Sequence, residues 1–107
     1  MGGLRVNPER ELERGHLPRH MKALRKNLAC SQKTLGELLC ARVRKIAYWE
    51  AGDKNPDPLT LELIIQFCEA TRGQDFDFLR LVRRSLKGGR IREARALLLT
   101  RAVEVAR

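Results

Sequence analysis

SQKTLGELLCARVRKIAYWEAGDKNPDP, residues 31–58, encodes two short helices and the tight turn between them. Ser31 offers a side-chain oxygen to free helix amides, and Leu35, Leu38 and Leu39 recur behind it at three and four. A helix therefore starts after Ser31, with those leucines buried and Gln32, Lys33 and Glu37 in solvent. A second helix, about Val43 to Ala51, buries Ile46 and Trp49 and is stopped by Gly52, the residue type that best accepts the left-handed turn of a helix end. What remains on its outer side is largely basic: Arg42, Arg44 and Lys45.

Upstream, Met21, Leu24 and Leu28 mark an amphipathic helix over Pro18 to Ala29. Downstream, Asp53 to Pro58 is a polar turn. Asp57-Pro58 reads as the cap and first residue of a fourth helix, with Leu61, Ile64, Ile65 and Cys68 inward. Asp75 starts a fifth, with Phe76, Leu79 and Val82 at three-residue spacing and Phe78 nearby. After Lys87-Gly88-Gly89, an arginine-rich helix runs over Arg90 to Arg107, with Ile91, Ala94, Leu98, Ala102 and Val105 on one stripe. Met1 to Leu17, with Asn7-Pro8 as a helix-start pair, is an arm or one short solvated helix. The expected layout is residues 1–17 as that arm, 18–83 as the helical domain and 84–107 as a C-terminal helix. Its stripe is expected either to support a dimer or to pack as a sixth helix of the same subunit. His16 and His20 are four apart, but Pro18 between them is expected to break that turn and leave two exposed histidines.

A chain of 107 residues has room for one modest core and not for two. Its formal charge of +9 calls for an anionic partner. The charge is uneven. Met21 to Glu50 holds seven basic against two acidic residues, whereas Ala51 to Ala70 holds one against four, so the basic character centres on the helix pair and returns after Thr71. No apolar run approaches the roughly 20 residues of a membrane span, and no apolar leader core stands at the N-terminus, so a cytoplasmic protein without membrane contact is expected. Cys30, Cys40 and Cys68 are odd in number, widely spaced and set among apolar neighbours, as reduced core cysteines are. Paired zinc-ligand spacing, a carboxylate pair and a glycine-rich phosphate loop are all missing, so no metal, cofactor or catalytic residue is expected and an enzyme is disfavoured.

Ser31-Gln32-x-x-Leu35-x-Glu37-Leu38-Leu39, then Ile46-x-x-Trp49-Glu50-x-Gly52-x-x-x-Pro56, resembles the Cro/repressor-type helix-turn-helix family, also called the XRE family. The likeness extends to Leu24-Arg25 and to Phe76-Asp77-Phe78-Leu79 and covers about Pro18 to Val82. It implies an all-α, five-helix Cro/repressor-like bundle, here with an additional C-terminal helix. The implied function is sequence-specific binding of double-stranded DNA in transcriptional regulation, repression before activation. Gln32 would grip a phosphate, Arg25 and Glu50 would form a structural ion pair, and Trp49 would be core. The helix from Val43 would be the recognition helix, turning Arg42, Val43, Arg44, Ala47 and Tyr48 to the major groove. Arg44 is then the best base reader, because a guanidinium presents two parallel donors to guanine. Val43 and Ala47 would meet thymine methyls and Tyr48 a base edge or phosphate, while Arg42, Lys45 and Lys54 would hold phosphates. One recognition helix covers few base pairs, so a homodimer on two half-sites is expected.

The sequence departs from that pattern at Cys40, where glycine is usual in the turn, at Arg42, where a small capping residue is usual, and at Ala41, where a larger aliphatic is usual. The departures, with the apolar Val43, Ala47 and Tyr48 on the outer face, sustain an alternative: the same fold binding a regulatory protein partner, as an anti-activator or antitoxin does.

Overall fold

Ser31, Asp57 and Asp75 set three helix starts. Their side chains accept the backbone N–H of Thr34, Thr60 and Phe78 at 3.1, 3.2 and 3.1 Å, each satisfying a first-turn amide that has no partner inside the helix. The computed structural model describes residues 16–73 and 75–106, and in these the chain forms α1 (Leu17–Leu28), α2 (Gln32–Leu39), α3 (Val43–Ala51), α4 (Pro58–Thr71), α5 (Phe76–Lys87) and α6 (Ile91–Ala106). The protein is an all-α bundle. The expected arm or helix before residue 16 lies outside the described residues.

Pro18 sits in the first turn of α1, where a missing N–H leaves no bond unmade, so it does not break the turn as the sequence suggested. His20 donates its backbone N–H to the carbonyl of His16 at 3.0 Å, and the two rings lie 6.2 Å apart. Both histidines are half-buried, not exposed.

All six helices feed one core. Met21, Leu24, Leu35, Leu38, Ile46 and Trp49 form the part shared by α1, α2 and α3, and Leu61, Ile64 and Phe67 carry it through α4. Ile65 and Cys68 are half-buried against that core, beside the fully buried Phe67. One inward assignment needs correction: at the start of α5 Phe76 is 63% exposed, while Phe78 turns in. A periodicity of three placed Phe76 beside Leu79, but Asp75 caps the helix such that its first residue points outward.

The larger correction concerns α6. Ala94, Leu98 and Ala102 are buried within this chain, α6 packing chiefly against α4 and α5; Ile91 is half-buried and Val105 exposed. Of the two readings of the stripe, packing as a sixth helix of the same subunit is the one the fold takes, and the dimer reading is corrected: five helices do not close this core. The expected boundary at 83/84 falls inside α5.

Three arginines of the last two helices are structural. Arg83 Nε donates to the Asn27 carbonyl at 2.9 Å, at the end of α1. Arg95 donates through Nε to the Leu38 carbonyl at 2.9 Å and through a terminal nitrogen to the Glu37 carbonyl at 2.8 Å, at the end of α2. Positive charge on helix C-terminal carbonyls answers both their missing hydrogen bonds and the negative end of the helix dipole. Arg101 bridges to the Asp75 cap at 2.9 Å and lies over the Phe78 ring.

Candidate nucleic-acid interface

The position of α3 is fixed from its inner face. Ile46 and Trp49 are buried, and beside them Arg25 of α1 grips Glu50 with two parallel bonds, Nε to one carboxylate oxygen at 2.7 Å and a terminal nitrogen to the other at 2.9 Å. Glu50 is 5% exposed and the Arg25 side chain 30%, so the pair is partly withdrawn from water and its bidentate geometry fixes the rotation of α3 against α1. The hydrogen bonds to Glu50 hold the Arg25 guanidinium above its ordinary value. At the far end Gly52, at φ +81°, lets the chain leave the helix.

The turn that delivers α3 is tight. Cys40 adopts the left-handed conformation, φ 55°, that a glycine would take more cheaply, and the Ala41 N–H returns to the Gly36 carbonyl at 2.8 Å. Gly36 makes this approach possible: a Cβ there would stand 2.5 Å from the Ala41 carbonyl oxygen. Arg95 completes the turn from outside, reaching the Cys40 sulfur at 3.4 Å as well as the two carbonyls of α2. Neither contribution was read from the sequence. Gly36 carried a legible signal, a small residue inside a helix, whereas Arg95 looked like any basic residue on an arginine-rich helix.

With the inner face committed, the outer face carries most of the residues expected to meet DNA. Arg42, Val43, Arg44, Lys45, Ala47 and Lys54 are exposed and Tyr48 is half-buried. Arg42, Arg44, Lys45, Tyr48 and Lys54 border one open groove of about 380 Å³ with Asn55, Pro56 and Asp57, and the Lys54 ammonium lies 4.8 Å from the Tyr48 ring centre. Gln32 is half-buried on the first turn of α2 and does not border that groove. The N-terminus of α3 has no side-chain cap, since Arg42 supplies no acceptor, and no acidic residue stands in its first turn. Unanswered amide donors, the positive helix end and Arg42, Arg44 and Lys45 thus coincide at one point of the surface.

The cysteines divide differently from expectation. Cys40 is exposed, while Cys30 and Cys68 are half-buried. Burial, partly offset by nearby Arg25, pushes the Cys30 thiol up to about 11, so it is protonated at neutral pH. Cys68 donates its Sγ–H to the His20 carbonyl at 3.7 Å. Among the described residues no group of three or more histidine, cysteine or acidic side chains is placed to hold a metal ion, and no helix is long and apolar enough to cross a membrane.

Compared with protein-family models, with curated proteins and with solved structures, the chain matches none of them.

Proposed function

We propose that this protein is a sequence-specific regulator that binds double-stranded DNA, most simply a repressor of the Cro/repressor helix-turn-helix kind, with α3 entering the major groove. The observation that carries the reading is the division of α3 into two faces. The inner one is locked by Trp49 and the Arg25–Glu50 pair; the outer one presents Arg42, Arg44, Lys45 and Tyr48 beside an uncapped, positively charged helix start. A rigid helix with cationic donors on its free side is what reading a base edge requires. Gln32 and Lys54 supply phosphate contacts on either side of the reading helix, and two copies on half-sites about one helical turn apart would give useful specificity.

One observation favours a second reading, capture of a regulatory protein: Val43 is 49% exposed, with Ala47 one turn on and Tyr48 beside it. The two separate in a binding experiment on duplexes selected by the protein from a randomised pool. Arg44→Ala should lower the preference for the selected over a scrambled duplex by about tenfold, whereas Lys54→Ala should weaken both alike. No duplex selected above background would favour the protein-binding reading, and a selected duplex whose preference is unchanged in Arg44→Ala would remove Arg44 as the base reader.

A further inference from the structure

A second basic surface lies away from the groove beside α3. Between the α1–α2 turn and the C-terminal half of α5 the surface opens into a cleft of about 500 Å³. One wall carries Cys30, Ser31 and Thr34, the other Arg80, Arg84 and Lys87, and no carboxylate lines it. Residues 80, 84 and 87 are spaced at four and three, so they stand on one face of α5 and spread three charges along roughly 10 Å of helix. All three are exposed. Arg80 has only a loose neighbour, Asp77 at 3.8 Å with both side chains largely in water, and among the described residues Arg84 and Lys87 have no acidic partner. This sets them apart from Arg83, Arg95 and Arg101, whose guanidinium groups are already bonded inside the molecule. Like charges brought together without counter-charges weaken a fold slightly, so an external anion is the natural complement.

We infer that this cleft is a second contact with nucleic acid, holding the sugar-phosphate backbone of the same duplex that α3 reads. The inference rests on the DNA-binding reading above. Two features make the duplex backbone the fitting occupant. Consecutive phosphates along one strand stand about 7 Å apart through space, so charges spread over roughly 10 Å of helix reach a run of about two to three phosphates. The cleft also flanks the proposed interface: its α2 wall belongs to the first turn of α2, which carries Gln32, and α2 is only about 12 Å long before the chain turns into α3. The helix pair thus bridges base reading at one end and backbone grip at the other, and the bound site extends beyond the base pairs that α3 touches.

The test uses the full chain and a duplex selected by the wild-type protein, with affinity measured across a salt series. Replacing both free charges, Arg84→Ala with Lys87→Ala, should make the slope of log affinity against log salt shallower by about 2, at roughly 0.9 per phosphate, and leave preference over a scrambled duplex unchanged. Lengthening the duplex on its flanks should strengthen binding by the wild type more than by the double variant. Arg83 is left in place because it ties α5 to α1. Should the alanine pair melt lower, Arg84→Gln with Lys87→Gln keeps the aliphatic stems and reads the same slope. A slope and flank-length response equal to wild type would overturn the cleft's role while leaving the α3 reading intact. Wild-type protein that binds duplex weakly, without salt dependence or sequence preference, would overturn the reading itself and this inference with it.

Discussion

The first turns of α3 and α5 are opposites. At α5, Asp75 accepts the Phe78 amide, Asp77 adds a second negative charge in the first turn, and Arg101 holds the cap from α6. At α3, Arg42 stands where the cap belongs, Arg44 and Lys45 follow, and no acidic residue stands in the first turn. A helix start satisfied from within the chain is a piece of architecture. One left cationic and uncapped is held against its own electrostatics by packing elsewhere, and it remains open to an anion from outside.

That contrast makes α3 dependent on its inner face, and the largest effect should come from breaking it. Trp49→Ala removes a buried aromatic from the α1–α3 seam and should reduce stability by about 3–5 kcal/mol, read by thermal or urea unfolding. A loss under about 1 kcal/mol would mean that α3 is held by something other than its core. Next is Arg25→Ala, which strands the Glu50 carboxylate at 5% exposure; because Arg25 itself is partly in water, about 2–3 kcal/mol is expected, at the low end for a broken buried pair. Glu50→Gln in the same background should recover part of that loss. Arg95→Ala should destabilise by about 1–2 kcal/mol by freeing two carbonyls of α2 and loosening the turn before α3. It should also lower duplex affinity without touching DNA.

Much of this was legible in the sequence because short-range chemistry decides it. Ser31, Asp57 and Asp75 mark helix starts through side-chain oxygens, Gly52 marks an end, and Leu35, Leu38, Ile46 and Trp49 mark the seam by spacing. The packing of α6 was hidden for a physical reason. Ile91, Ala94, Leu98 and Ala102 show that the helix has an apolar side, but periodicity does not say which surface covers it. Tertiary uses of arginine were equally hidden. Arg25 was found through the resemblance, whereas Arg83 and Arg95 reach carbonyls more than fifty residues away, and nothing local distinguishes them from the solvated Arg84.

The caps also give the comparison a pH signature. The hydroxyl and amide of Thr60 hold the Asp57 carboxyl below the ordinary 3.8, and the Phe78 amide, with Arg101, does the same for Asp75. Folded-state values below the unfolded one mean that this stabilisation is complete above pH 3.8 and is lost as pH falls through the lower folded-state range. The melting temperature should therefore decline as the solution is acidified below about pH 4. Asp75→Asn should flatten part of that decline, and no substitution at Arg42, Val43 or Arg44 should, because the start of α3 has no carboxylate to titrate. An acid profile unaltered by Asp75→Asn would remove the cap from the account.

The most direct test of the central claim, that the start of α3 is left uncapped for an external anion, is to cap it and measure stability and duplex binding on the same variant. Arg42→Ser supplies the missing acceptor and should raise stability by about 1 kcal/mol, while affinity for a selected duplex should fall about tenfold at fixed salt. Arg42→Ala, which removes the same charge without supplying a cap, serves as the control and should leave stability nearly unchanged while weakening binding less than Arg42→Ser. Greater stability in Arg42→Ser, with binding weaker than in Arg42→Ala, is the result the account predicts; equal binding by the two variants would contradict it.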